Sequence, residues 1–236
     1  MYRHTFLYGM AAIKAAFFIY NIMKRVTVYI DGFNFYYGLK AMKKADSDWK
    51  NYYWIDFVKL FQQFLGPDQI LQKVVYFTAS PLNPQKSSRQ GTLFNANKLI
   101  NGDNFEIVRG KYFDKQIICP FCKRSINRPE EKRTDVNISV RMIGDCVKNE
   151  TDIITLVSGD SDLVPPIEFI QANFPDKKVK VYFPPTIYCY DLKDNIAKHK
   201  GKVVRLEGNK TKFINSIMPE TVTDGNKTYV IPDKWK

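Results

Sequence analysis

RVTVYIDGFN at 25–34 and DIITLVSGDSD at 152–162 decide the fold. Each is a β-branched, apolar run that stops at an acid beside a glycine, so each reads as a strand entering a tight turn. Outward from them the chain alternates. Residues 33–44 read as a helix, and IDFVKLFQQFL (55–65) spaces Phe57, Leu60, Phe61 and Phe64 helically before Gly66-Pro67. ILQKVVYFTAS (70–80) is a second strand and 87–101 a further helix ending at Asn101-Gly102. FEIVRGKYF (105–113) and QIIC (116–119) predict a strand entering a hairpin around Cys119 and Cys122, followed by a polar, basic stretch to Arg133.

Thr134 is the expected N-cap of a helix whose apolar face is Val136, Val140, Ile143 and Val147. Asp162 opens a helix to about Asn173, KKVKVYF (177–183) is a strand, 189–198 a short helix and KVVRL (202–206) the last strand. Strands separated by helices imply βαβ units. The expected class is therefore α/β: a three-layer α/β/α, Rossmann-like sandwich with a mostly parallel sheet and a small inserted β-hairpin at about 111–130. Residues 23–206 would form this domain. Residues 1–22 read as a leader or upstream extension dispensable for folding, and 207–236 as a C-terminal tail with a short helix at 211–218.

The chain has 236 residues, 44% of them hydrophobic, which suffices for a real core. Its net charge is +12 and stays positive without Arg3, Lys14 and Lys24 near the start. A basic surface suits a polyanionic partner, although charge also serves solubility. The cysteines Cys119, Cys122, Cys146 and Cys189 make no disulfide framework in a chain this long, and reduced thiols suit the cytoplasm. Cys146 and Cys189 are expected to be buried. Only His4 and His199 are histidines, so a histidine acid–base pair is not expected. Lys14 interrupts the apolar run of the leader, leaving it short of a span of about 20 residues, and no membrane partner is expected.

The carboxyl ends of strands in an open α/β sheet converge on one crevice. Asp31, Asp160 and Asp162 each follow a strand, and Asp135 opens a helix. Acids delivered there together repel unless a hard cation sits between them, which suits Mg²⁺ or Mn²⁺ and phosphodiester chemistry. Asn34 can bond a neighbouring carboxylate or a metal-bound water, and Ser158 and Ser161 can orient ligands. Each acid also has a plainer reading. Asp31-Gly32-Phe33-Asn34 equally describes a turn and N-cap, Asp162 suits a helix start, and Asp135 in a first turn contributes about 0.3–1 kcal/mol.

VYIDGFNFYYG (28–38), EEKRTDVN (130–137) and LVSGDSDLVPPI (156–167), in this order and spacing, resemble the NYN domain, a branch of the PIN-like nuclease superfamily. The resemblance covers about residues 25–206. It implies a PIN-like fold and a divalent-metal ribonuclease centre, its acidic positions falling on Asp31, Asp135, Asp160 and Asp162 with Asn34 and Ser158 beside them. It also includes an inserted hairpin such as KYFDK…CPFC…RPEEKRTDVN, seen in some bacterial members.

Cys119-x-x-Cys122 has the spacing of half a zinc knuckle, but no second pair follows, so zinc is not expected and packed or redox-sensitive thiols are the default. Lys111, Lys115, Lys123, Arg124, Arg128, Lys132 and Arg133 interleave with Tyr112, Phe113 and Phe121. That mixture suits single-stranded RNA, while a solvated hairpin with inward rings is the plainer reading. Phe33, Phe35, Tyr36 and Tyr37 are expected in the core. The expected function is a metal-dependent ribonuclease, with endonucleolytic action and 5′-phosphate products. The alternative is a non-catalytic RNA-binding or regulatory module, and a homodimer is compatible with either. A nucleotide-binding βαβ protein is disfavoured because no G-x-G-x-x-G or G-x-x-x-x-G-K-[ST] follows a strand.

Overall fold

The computed structural model describes residues 23–113, 116–127 and 130–236. The leader at 1–22, with His4, and the cations Lys115 and Arg128 lie outside them. In chain order the described elements are β1 (Lys24–Asp31), α1 (Gly32–Ala45), α2 (Phe57–Gln62), β2 (Gln69–Thr78), α3 (Pro84–Asn101), β3 (Phe105–Arg109), β4 (Lys111–Phe113), β5 (Gln116–Ile118), β6 (Ser125–Asn127) and β7 (Glu130–Lys132). They continue with α4 (Thr134–Val147), β8 (Ile153–Val157), α5 (Val164–Asn173), β9 (Lys178–Phe183), α6 (Tyr190–Lys198), β10 (Lys202–Arg205), α7 (Lys210–Ile214), β11 (Thr221–Thr223) and β12 (Thr228–Val230).

Six strands form one sheet in the order β10-β9-β8-β1-β2-β3, every neighbouring pair parallel. Parallel strands need crossovers and are covered on both faces, which is why IITLV of β8 is buried throughout. On one face Val26, Val28 and Ile30 pack with Phe35, Leu39, Phe57 and Phe61 from α1 and α2. On the other, Tyr29, Val75 and Leu156 pack with Ile138, Met142, Ile167 and Ile196 from α4, α5 and α6. The expected α/β/α sandwich with a parallel sheet is what forms. The chain winds outward from β1 through β2 and β3, then restarts at β8 on β1's other side. Ligands bind at such a switch point, and Asp31 and Asp160 leave the two strands that flank it.

Several expectations change. Most of the apolar face assigned to α4 is turned outward: Val136, Val140 and Val147 are 64–67% exposed, and only Ile143 packs against the core. Its inner face carries Ile138, Met142 and Cys146 together with the polar Thr134 and Asp145, so polar groups at core positions hid the helix's phase. Thr134 is the first helical residue rather than the cap. Arg133, at φ 84°, holds the cap position, and the Thr134 hydroxyl donates to Glu131 Oε1.

The residues after Leu206 are packed, not loose. Phe213 is fully buried against Phe35, Trp49 and Tyr52. Met218 and Val222 cluster with Trp54 and Ala96, and the Trp54 Nε1–H donates to the Pro219 carbonyl at 2.8 Å. The elements here span only three to five residues, too short for periodicity to show.

The inserted segment is a β-ribbon of two ladders, β4–β7 and β5–β6, both antiparallel. Two of its rings do not pack inward, Phe121 being 93% exposed and Phe113 45%, while Tyr112 is partly buried and meets Phe33 edge-on. Cys189 is only partly buried, while Cys146 is buried as expected; all four thiols are free.

If the C-terminal segment belongs to the core, Phe213→Ala should cost about 3–5 kcal/mol, as phenylalanine truncations in packed cores do. Chemical denaturation measures it. A loss under about 1 kcal/mol would return this segment to the status of a tail.

Candidate active site

Asp31 is set by the end of β1 and the start of α1. It is 2% exposed and serves as the α1 N-cap, its Oδ1 accepting from the Phe33 and Asn34 backbone N–H groups, both at 3.0 Å. Its Oδ2 accepts from Asn34 Nδ2 at 2.5 Å and from the Ser158 hydroxyl at 2.8 Å. Gly159 N–H donates to Asn34 Oδ1 at 3.2 Å, and Asp160 N–H to Ser158 Oγ at 3.1 Å. Asn34 and Ser158 therefore tie the β1 turn to the β8 turn across the switch point.

Both turns need their glycines for close approach. A Cβ on Gly32 would lie 2.3 Å from the Tyr76 ring, and one on Gly159 2.3 Å from Ile187 Cγ2. The two readings of Asp31 turn out to hold together: it caps a helix and faces the other acids.

Asp31, Asp135 and Asp160 each offer a carboxylate oxygen, and these oxygens lie within 4.8 Å of one another. Asp162 is not in that group. It is exposed at the rim, and its backbone N–H donates to Asp160 Oδ1 at 3.0 Å. Ser161 is exposed as well. Among the described residues, no protein donor reaches the Asp135 carboxylate.

Burial pushes the Asp135 carboxyl up to about 6, helped by the charges of Asp160, Asp31, Glu131 and Asp162. Burial also raises Asp31, against the lowering effect of its hydrogen bonds from Asn34 and Ser158. Two unit charges about 4 Å apart repel by about 4 kcal/mol at an effective dielectric near 20. With a whole-domain stability of about 5–15 kcal/mol, three such charges call for a proton or a cation between them. An all-oxygen, all-carboxylate donor set suits a hard divalent ion.

A second network went unread in the sequence. Tyr29 OH donates to Asp145 Oδ2 at 2.7 Å, and Arg141 bridges Asp145 (Nε to Oδ1, 2.8 Å) and Glu106 (Nη1 to Oε1, 2.6 Å). It ties α4 to β1 and β3 and so sets where Asp135 sits. Its only sequence signal is an acid, Asp145, in phase with Ile138 and Met142.

Of the basic residues singled out on the inserted segment, Lys111 and Lys132 pair across the β4–β7 ladder, and Lys123 and Arg124 are exposed at the far end. Arg133 lies over the Phe113 ring at 5.5 Å, two residues from Asp135 in the chain. Cys119 and Cys122 sit in the end turn, where the Cys122 and Phe121 N–H groups and the Cys122 side chain lower the Cys119 thiol. His199 is exposed and far along the chain from the acids.

Residues 25–194 match the NYN domain family. The chain belongs to the NYN domain family. NYN domains are part of the PIN-like nuclease superfamily and are generally nucleases. Among curated proteins, the chain is 24% identical over 193 residues to 6-hydroxy-3-succinoylpyridine 3-monooxygenase of Pseudomonas putida, covering 68% of this chain and 59% of that protein's length. Among solved structures it resembles a protein of unknown function from Vibrio parahaemolyticus, with TM-score 0.50 and 19% identity, covering 78% of this chain and 94% of the other. That likeness concerns the fold. Among the described residues no helix is long and apolar enough to cross a membrane.

A carboxyl raised from its ordinary 3.8 to about 6 binds its proton more tightly in the folded chain. The resulting stability is present at low pH and is lost as pH rises through about 6. Asp135→Asn has no such loss. Without metal, the variant should therefore melt at or above wild type at about pH 7.5, and the two should converge near about pH 4. A variant melting well below wild type at the higher pH would contradict the crowding of charge.

Proposed function

We propose that this NYN protein is a divalent-metal-dependent ribonuclease that hydrolyses RNA phosphodiester bonds at Asp31, Asp135 and Asp160. The observation that carries the reading is the Asp135 carboxylate, half-buried among other acids without a protein donor. At neutral pH, above the point where the carboxyl loses its proton, a cation would complete a group in that position. Asp31, Asp135 and Asp160 would hold Mg²⁺ or Mn²⁺, with Asp162 at the rim adding negative field and a place for metal-bound water. When bound, the ion supplies Lewis-acid charge to the scissile phosphate and an acidified water.

The chain's own residues supply the positioning. Asn34 and Ser158 hold the Asp31 carboxylate in one rotamer, and Ser158 also fixes the Asp160 backbone. Ser161 is near enough in sequence to orient water at the rim. Attack by water on phosphorus with departure of the 3′ oxygen leaves 5′-phosphate and 3′-hydroxyl ends. No histidine is required. Lys111, Lys123, Arg124, Lys132 and Arg133, on or beside the ribbon, would pair with phosphates of a single strand. The name of the Pseudomonas relative denotes chemistry on a pyridine, but 24% identity over 59% of that protein does not carry its activity here.

The test is cleavage of a mixed-sequence RNA by purified protein with Mn²⁺ or Mg²⁺, with chelator, and with Asp160→Asn. Wild type should cleave only with metal, and Asp160→Asn should lose at least about a hundredfold, the scale of losing a main electrostatic stabiliser. RNA binding without metal-dependent cleavage by wild type would favour the non-catalytic RNA-binding module. Equal cleavage by both proteins would remove Asp160 from the site.

A further inference from the structure

A groove of about 760 Å³ is lined by residues of α1 and α3, and Gly32, the residue after Asp31, is among them. Its volume lies within the range of about 300–1,000 Å³ typical of ligand pockets. The aromatic run after Asp31, expected in the core, divides between two environments. Phe35 is buried at 1% exposure, while Tyr36 and Tyr37 are 39% and 53% exposed on the groove wall. Tyr36 lies against Tyr37 and Tyr53, and Tyr53 stacks on Trp235 with ring centres 5.9 Å apart. At the ribbon end, Tyr112 of β4 lines the groove and meets Phe33 edge-on.

Charge distinguishes this groove from the acidic site. Lys40, Lys43, Lys86, Arg89 and Lys234 line it, and no Asp or Glu does. Among the described residues, Lys43, Lys86, Arg89 and Lys234 pair with no carboxylate, although other surface lysines do, such as Lys210 with Asp46 and Asp48. Tyr76, which lines the groove, donates to the Gly32 carbonyl and feels the Asp31 charge, so the groove is next to the acids. Exposed aromatic faces beside unpaired cations match a strand with accessible bases and a charged backbone. A duplex keeps its bases stacked inside and offers these rings nothing.

We propose that the groove seats the unpaired nucleotides flanking the scissile phosphate, with bases stacked on Tyr36 and Tyr37 and phosphates held by Lys86 and Arg89. This rests on the ribonuclease reading above and adds where the strand lies and that it is held through its bases as well as its charge. The ribbon then continues the track past Tyr112 rather than forming it alone.

The test uses the full chain carrying Asp160→Asn, so that RNA is not consumed. Fluorescence anisotropy compares a labelled oligouridine, the same backbone with abasic sites, and an RNA duplex of equal length. The oligouridine should bind at least about tenfold more tightly than the abasic strand or the duplex, since stacking contributes strongly for each base. Tyr37→Ala should lose that margin and Tyr37→Phe should keep it; the position is exposed, so neither disturbs the core. Lys86→Ala with Arg89→Ala should lower the salt slope of binding by about 0.7 for each phosphate left without its cation.

Equal binding of the abasic strand, or a margin unchanged in Tyr37→Ala, overturns the proposal. So does binding of a carboxylated pyridine in place of any oligonucleotide. Base-dependent binding by a wild type that does not cleave leaves the groove standing and removes hydrolysis. Metal-dependent cleavage with base-blind binding does the reverse.

Discussion

Like charge held at close range is the constraint around which this molecule is arranged. Asp31, Asp135 and Asp160 come from three separate stretches of chain, and their oxygens are kept within 4.8 Å. Nothing in that trio attracts its members to one another. They are held by neutral donors and by packing: Asp31 by two backbone N–H groups, Asn34 and Ser158, and Asp160 by its turn. Asp135 is held by the seating of α4, through the Tyr29–Asp145–Arg141–Glu106 network. Glycines at 32 and 159 allow the turns to come so close. Polar groups arranged to keep a repulsive set in register contribute little to stability that an apolar core would not. Their value lies in what the set can hold.

The distribution of charge follows from the same constraint. A substrate made of phosphates is repelled by a cluster of acids, so attraction must come from the surroundings. The groove between α1 and α3 carries unpaired cations and no acids along its lining, and the ribbon bears further lysines and arginines. The acids are confined to the switch point between β1 and β8, where a small cation can offset them. On the ribonuclease reading proposed above, a net charge of +12 would serve the approach to the site as well as solubility.

The sheet was legible in the sequence because parallel, doubly covered strands are written as continuous β-branched runs, and VTVYI and IITLV leave little choice. Asp31 and Asp160 were legible because turn chemistry marks where such strands end, while Asp135 drew its weight from the NYN resemblance. What escaped detection did so for physical reasons. The inner face of α4 mixes Ile138 and Met142 with Thr134 and Asp145, so its valines pointed to the wrong phase. The groove was hidden because Tyr36 and Tyr37 sit beside Phe35 in one aromatic run, and only the helix's rotation separates buried from exposed. Phe213 and the short strands after it are too brief to carry a period. Asp162 looked equivalent to Asp160, yet its backbone serves as donor while its side chain stays at the rim.

Whether the three carboxylates form a cation centre can be read from crystals grown with Mn²⁺ by anomalous scattering. A peak is expected at inner-sphere distance from oxygens of Asp31, Asp135 and Asp160 together, and it should vanish in Asp135→Asn. A well-ordered site without a peak there, or manganese bound only elsewhere, would contradict a cation centre.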